Sequence, residues 1–357
     1  MKLPCITMLA TLLLTGPATA QLQITPPATT PSAPAEKQKP KPPAPAKKKE
    51  AAPAPKPSPS PKPSASPKPA TVIPAPPPDD PNVDLVFGAY QRGQYKTAFE
   101  LAMMRAQAGD AKAMTMLGEL YSNAMGIRRD YAKAAEWYKR AADAGDREAM
   151  FALAMLRISG RGGPVDKSEA VRLMASAAKL GEPKAAYNLA LLYLDGQTLP
   201  QDIRRSAELL RQAADAGLPE AQYALATFYK EGTGVPKDPE RAVRLLQAAS
   251  LADNVDAEVE YAIAMFNGTG TPKNQPAAVA LLRKASRQGS AIAQNRLAWV
   301  LINGVGTPMD KIEGFKWHLV AKTSGKGDPE LDKQLSDLPA DDRAKAEAAA
   351  RKWLGSK

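Results

Sequence analysis

The chain has 357 residues, a formal net charge of +11 at pH 7, one cysteine and one histidine. A single cysteine excludes an internal disulfide framework, and a single histidine excludes a histidine pair. The common His-based triads and zinc sites then have few residues from which to be assembled. Composition therefore favours a binding or structural protein over a conventional hydrolase.

The first twenty residues have the pattern of an export signal. Lys2 precedes an apolar run from Ile6 to Leu14, and a break at Gly16 is followed by the triplet Ala18-Thr19-Ala20. This order predicts a cleavable secretory signal over residues 1–20 and a periplasmic or secreted protein. The alternative is an uncleaved anchor in the inner membrane through residues 3–20.

Residues 21–82 are predicted to form a disordered linker rich in Pro, Ala and Lys. The stretch from 22 to 82 holds 21 prolines, nine lysines and four acidic residues. Such a sequence lacks core-forming side chains and stays extended and solvated. Its positive charge would suit an anionic envelope surface, and the alternative is a simple solvated spacer. Nucleic acid is not expected as a partner, because the signal directs the chain out of the cytosol.

Residues 83–108 are predicted to form a short helical hairpin ahead of a repeated region. The segment turns at Gly93. We expect four bulky side chains to face inward: Phe87, Tyr90, Tyr95 and Leu101. The hairpin would cap the N-terminal end of the repeats.

Residues 109–324 contain six copies of a 36-residue unit. Its boundaries are marked by Gly109, Gly145, Gly181, Gly217, Asp253 and Gly289. With the boundary residue at position 1, position 5 is alanine in all six copies, position 9 is leucine in five, and position 10 is always Gly or Ala. This spacing places small and large residues on one stripe of a helix. It predicts the first helix of each copy.

A loop and a second helix complete each copy. Position 22 is Asp or Asn throughout: Asp130, Asp166, Asp202, Asp238, Asn274 and Asp310. Such a residue ahead of an apolar periodic segment accepts the unpaired amides of a helix start. Alanine recurs at position 33 of every copy. Each copy is thus predicted to be an antiparallel helical hairpin, and neighbouring hairpins must stack to bury their apolar stripes.

The pattern G-x-x-x-A-x-x-x-L-A-x-x-Y, a G-x-G-V-P-x-D loop and a terminal A-A-x-x-G together resemble the Sel-one-like repeat, a relative of the tetratricopeptide repeat. The resemblance implies an all-α fold: a right-handed α–α superhelix of six 36-residue helical hairpins with helical caps at both ends, preceded by the disordered linker. Three local departures, at Arg157, Gln197-Thr198 and Asp253, leave the geometry of those joints open.

The C-terminal part of the chain shows no chemistry of its own. Residues 325–357 are predicted to form two capping helices. His318, the one histidine, lies beside Trp317 and is interpreted as structural. The glycine-rich loops, such as GTGVPKD from Gly232, recur once per copy as turns and lack the Gly-Lys-Ser/Thr ending of a phosphate-binding loop. We therefore predict no catalytic residue, no metal ligand and no cofactor.

A binding surface has better support. By analogy with the tetratricopeptide repeat, positions 7 and 11 of the first helices would line an inner groove. The candidate binding residues are Phe151, Met155, Tyr187, Leu191, Tyr223, Thr227, Asn295 and Trp299. A row of aromatic and apolar side chains could accept an extended or helical peptide. The alternative is that these side chains only complete the packing between helices.

The sequence therefore favours an exported, non-enzymatic scaffold or adaptor that binds a partner protein or peptide in the bacterial envelope. The resemblance implies roles such as restraint of sensor kinases, envelope assembly or polysaccharide control. One alternative is a binder of envelope glycan or peptidoglycan that uses the basic linker. Another is a hydrolase of cell wall or lactams, although no constellation of acid, base and nucleophile is present. Partner identity and oligomeric state are not specified.

Overall fold

The computed structural model describes residues 84–356, which fold into helices joined by short turns and contain no strand. The predicted signal and linker lie outside the described residues. In chain order the helices are α1 Leu85–Gln91, α2 Tyr95–Gln107, α3 Ala111–Asn123, α4 Tyr131–Asp143, α5 Arg147–Ser159, α6 Lys167–Lys179, α7 Pro183–Asp195, α8 Ile203–Asp215, α9 Pro219–Glu231, α10 Pro239–Leu251, α11 Val255–Asn267, α12 Gln275–Arg287, α13 Ala291–Asn303, α14 Lys311–Thr323, α15 Pro329–Ser336 and α16 Ala340–Gly355. Helices α3–α14 form six hairpins of one first and one second helix each, as predicted.

The second helices begin where the sequence predicts. In all six copies the Asp or Asn at position 22 accepts a hydrogen bond from the backbone N–H three residues later, at 2.8–3.1 Å. Each bond satisfies one of the free amides of the first turn and fixes the helix start. Five of the six first helices end at a glycine with positive φ, which lets the chain leave the helix without a Cβ clash.

The small and large residues of the unit pack as expected for a stacked array. The alanines at positions 5 and 33 are at most 3 % exposed in every copy, and the leucines at position 9 at most 4 %. In copy one even alanine would be too large at position 10, since a Cβ added to Gly118 would lie 2.5 Å from the ring of Tyr138 in the paired helix. Close approach of helices thus depends on small residues at fixed positions.

Neighbouring copies are also joined through a loop glycine at position 18, which is present in five of the six copies. A Cβ on Gly162 would lie 2.1 Å from the carbonyl oxygen of Tyr131, and one on Gly270 would lie 2.3 Å from that of Pro239. Both glycines therefore pack directly against the backbone of the first residue of the preceding second helix. Copy three has Thr198 at this position, and its φ is not positive. The departure noted in the sequence is therefore accommodated by a different backbone conformation in that loop.

The Asp253 departure is accommodated through charge instead. Asp253 keeps the left-handed conformation of the boundary glycines, with φ 58°. Its carboxylate lies 2.8 Å from Nζ of Lys284, which also lies 2.5 Å from Oε1 of the fully buried Glu258. One lysine on α12 thus links the boundary to a buried carboxylate on α11. The joint between copies four and five keeps the backbone path of the others.

Helical caps cover both ends of the array. At the N-terminal end, Val86 and Ala89 are buried, but Phe87 is 50 % exposed, so its predicted inward orientation is wrong. The α1 helix has only seven residues, and its inner face is already filled by those two side chains. At the C-terminal end, Trp353 of α16 packs edge to face on Trp317 at 5.1 Å between ring centroids.

Candidate functional site

The two helices of each copy face different environments. Of the 78 residues in the six first helices, 11 are exposed, whereas 29 of the 78 residues in the six second helices are exposed. The first helices therefore form the inner layer of the superhelix and the second helices its outer layer. This places the predicted groove positions on the inner layer.

The candidate binding residues lie between core and surface. Tyr187 is buried, at 8 % exposure, and the other seven are half-buried, so none of the eight is fully exposed. Phe151, Met155, Leu191 and Tyr223 pack against the same buried cluster that contains Tyr187. Each side chain thus contributes one edge to the core and, except for Tyr187, a partly open edge to the inner surface. Their role in binding stays a prediction.

Two of the eight side chains, those of Thr227 and Asn295, donate hydrogen bonds to backbone carbonyls. The Thr227 hydroxyl donates to the Tyr223 carbonyl at 3.2 Å, and at Trp299 the backbone carbonyl accepts from Asn303 at 2.8 Å. The Asn295 amide donates to the Lys326 carbonyl at 3.2 Å, which joins copy six to the C-terminal segment. Asn295 therefore helps to close the array. Part of the row in copy six is thus taken up by a contact within the chain.

The structure adds an acidic rim, formed by Glu220 and Asp256, that the sequence pattern did not predict. Position 4 of the first helices is exposed in every copy, and copies four and five place Glu220 and Asp256 there. Together α9 and α11 contain five acidic residues and one base, Lys230, whose Nζ lies 3.0 Å from Glu260. An acidic residue in the first turn of a helix is common for dipole reasons, so position 4 alone gave no signal. The acid count of α11 would have revealed the rim.

Together with burial, acidic side chains on and near the rim raise the pKa of Tyr187 and Tyr223. Burial raises the pKa of Tyr223, and the charges of Glu260, Asp256 and Glu231 raise it further. Burial and Glu220 raise the pKa of Tyr187 to about 12. Desolvation by the surrounding protein, followed by the charge of Glu260, likewise raises the pKa of the Asp256 carboxyl. The first helices α9 and α11 therefore place more acidic than basic side chains near Tyr223, which favours a cationic group there.

The one histidine of the chain, His318, takes part in a contact between helices. His318 is fully buried, and its Nε2 lies 2.8 Å from Oδ1 of Asp332, which also accepts from Lys322 at 2.8 Å. The contact fastens α15 to α14. In the same region no cluster of His, Cys, Asp and Glu is arranged to hold a metal ion. None of its helices combines the length and apolarity needed to cross a bilayer.

These features define the protein as an α-helical repeat solenoid whose candidate site is an inner helical surface. The Sel1 repeat family model matches six consecutive segments: 111–146, 147–182, 183–218, 219–254, 255–290 and 291–325. They cover more than half of the sequence, so the chain belongs to the Sel1 repeat family. Sel1 repeat proteins are typically scaffolds for protein interaction.

Two solved structures show the same fold. The Sel1 repeat protein from Oxalobacter formigenes is 24 % identical over 66 % of this chain and 94 % of its own, with a TM-score of 0.57. The protective antigen c5321 of uropathogenic Escherichia coli is 23 % identical over 72 % of this chain and 64 % of its own, with a TM-score of 0.51. No curated protein matches the chain. At these identities the likeness concerns the fold alone.

Proposed function

We propose that this protein is a non-enzymatic scaffold that holds a partner polypeptide against the inner surface of copies three to five. The observation that carries the proposal is the half-buried Tyr223 beside exposed Glu220 and Asp256. Aromatic side chains supply contact area at low entropic cost, and rim charges select the partner and speed its approach. The partner would present an apolar side chain flanked by Lys or Arg.

The proposed site of action, the periplasm or cell exterior, rests on residues 1–20 alone. Their signal pattern supports a periplasmic or secreted protein, and family roles in envelope signalling or polysaccharide control fit that location. N-terminal sequencing of the purified envelope protein should find Gln21 as the first residue. A chain that still begins at Met1 would instead indicate the membrane-anchored alternative.

The rim provides the test of the binding surface. The full chain carrying E220Q and D256N should capture its partner from envelope extracts at least tenfold more weakly than the unchanged protein, about 1.4 kcal/mol. Both side chains are exposed, so the fold should persist. The matched control is E136Q with E240Q, which removes two exposed acids from second helices and should retain the partner.

Binding should also depend on pH. Because the pKa of Asp256 is raised, protonation removes its charge at a higher pH than for an ordinary aspartate. A cationic partner should therefore bind less tightly as the pH falls from neutral toward that raised pKa, and D256N should flatten this dependence. Unchanged capture by E220Q and D256N, or turnover of wall or lactam substrates by the metal-free protein, would contradict the scaffold proposal.

A further inference from the structure

Charge is unequally divided between the two layers of the array. The six second helices contain 17 Lys and Arg against seven Asp and Glu, whereas the six first helices contain six against eight. Because the second helices form the outer layer, most of this positive charge faces solvent. The two layers therefore suit partners of opposite charge.

Much of the outer charge is not neutralised by ion pairs. In copies two to five, eight basic residues of the second helices make no ion pair within residues 84–356: Lys167, Arg172, Lys179, Arg204, Arg211, Arg244, Arg283 and Arg287. Only two acidic residues of these helices, Asp215 and Glu240, are similarly unpaired. The excess of six positive charges extends over four successive copies. A solvated face on which acids and bases are paired would not show such an excess of positive charge.

Four of these cations form one series across the outer layer. Arg172, Arg211, Arg244 and Arg283 each come from a different copy and occupy positions 28 and 31 in alternation. Residues three apart are neighbours on a helix surface, so each of the four copies offers one arginine on the same face of its second helix. Three of the four are exposed and Arg283 is half-buried. We call these four residues the arginine ladder.

One contact shows how closely cations of successive copies approach. Arg211 of copy three donates to the Tyr229 hydroxyl at 3.2 Å, and the guanidinium of Arg241 in copy four lies 5.7 Å from the centre of the same ring. The buried phenol therefore holds two arginines from neighbouring copies on one patch. Burial acts to raise the pKa of this phenol, but the two arginines outweigh burial and lower the pKa.

We propose that the arginine ladder binds a linear acidic polysaccharide. Guanidinium forks match carboxylates in geometry, and Gln247, at the alternate position of copy four, can bond sugar hydroxyls. Within copies two to five the one acid at these positions, Glu208 in copy three, is already paired with Arg205 at 2.7 Å. It therefore leaves the charge of the ladder itself in place.

The spacing and composition of the ladder favour this ligand over others. Successive second helices are separated by first helices, so ladder cations lie about 10 Å or more apart. Duplex DNA carries a charge roughly every 1.7 Å and is a poorer match. Positions 28 and 31 of copies two to five also lack aromatic or bulky apolar side chains that would stack on bases or enter a bilayer.

Binding of a labelled polyuronate to the full chain tests the proposal. In about 50 mM salt the unchanged protein should bind, and R172Q/R211Q/R244Q/R283Q should raise the apparent Kd more than tenfold. Loss of four contacts should also reduce the log–log salt slope by roughly 3. The N-terminal lysines are common to all variants, so the difference reports the ladder. Thermal unfolding and circular dichroism verify that the variant is folded.

The control is K133Q/K139Q/K345Q/R351Q, which removes the same charge from exposed cations already paired with acids of their own helix or its cap. It should change the Kd less than threefold. An equal loss of polyuronate affinity in both variants would show that only net charge matters. It would overturn the proposal that the arginine ladder is the binding site. Tighter binding to duplex DNA or to phosphatidylglycerol vesicles than to polyuronate would overturn the choice of ligand. The inner-surface variants E220Q and D256N should bind polyuronate normally, so this proposal stands or fails independently of the scaffold function.

Discussion

Replacement of Gly270 by alanine is expected to lower the free energy of unfolding by roughly 2–5 kcal/mol. Gly270 has φ 68°, where a side chain costs about 1–2 kcal/mol. Its Cβ would in addition lie 2.3 Å from the Pro239 carbonyl oxygen and 2.6 Å from the carbonyl carbon. Backbone cannot rotate away as a side chain can, so the overpacking adds roughly 1–3 kcal/mol. Urea unfolding followed by circular dichroism measures the loss.

Gly217 provides the matched control for this substitution. It also has positive φ, at 85°, but an added Cβ would have no atom within 4 Å. Gly217→Ala should therefore cost only the backbone strain, about 1–2 kcal/mol. Equal losses for the two variants would show that the loop glycine does not join the copies, because the clash with Pro239 is the difference between them.

Truncation of a central leucine should have a comparable effect. Leu225 at position 9 of copy four is 2 % exposed within the largest buried cluster. Leu225→Ala removes buried methyl groups and leaves a cavity, so we expect a loss of roughly 2–5 kcal/mol. In a solenoid this loss weakens the terms that couple adjacent copies, and the unfolding transition should broaden as well as shift.

Leu251→Ala is the comparison for that variant. The side chain is the same, but it is 81 % exposed at the end of α10. The change should alter stability by less than about 0.5 kcal/mol. If Leu225→Ala were equally mild, the leucine at position 9 would not be an element of the shared core, and the stacking account would be wrong.

The repeat made most of the fold predictable. Each second-helix cap, from Asp130 to Asp310, could be located because a helix start leaves amides that only nearby acceptors satisfy. The packing of the N-terminal capping hairpin was less predictable. Phe87 was misassigned because a seven-residue helix has too few turns for its apolar period to distinguish its two faces. The accommodations at Thr198 and Asp253 depend on backbone conformation and on a lysine of another helix.

The candidate site was predictable only in part. The helical period fixes that positions 7 and 11 share a face of each first helix, and their role in binding stays a prediction. The solvent exposure of these side chains depends on how tightly the array curves from one copy to the next. The rim of Glu220 and Asp256 combines residues 36 positions apart, and the arginine ladder combines residues of four copies.

By itself the sequence determined the repeating unit, its helices, its caps and its small-to-large packing, because these depend on residues a few positions apart within one hairpin. The tertiary structure alone decided which charges meet and which side chains stay partly open. Stacking sets the distances between copies, and electrostatic interaction and burial depend on those distances rather than on separation along the chain.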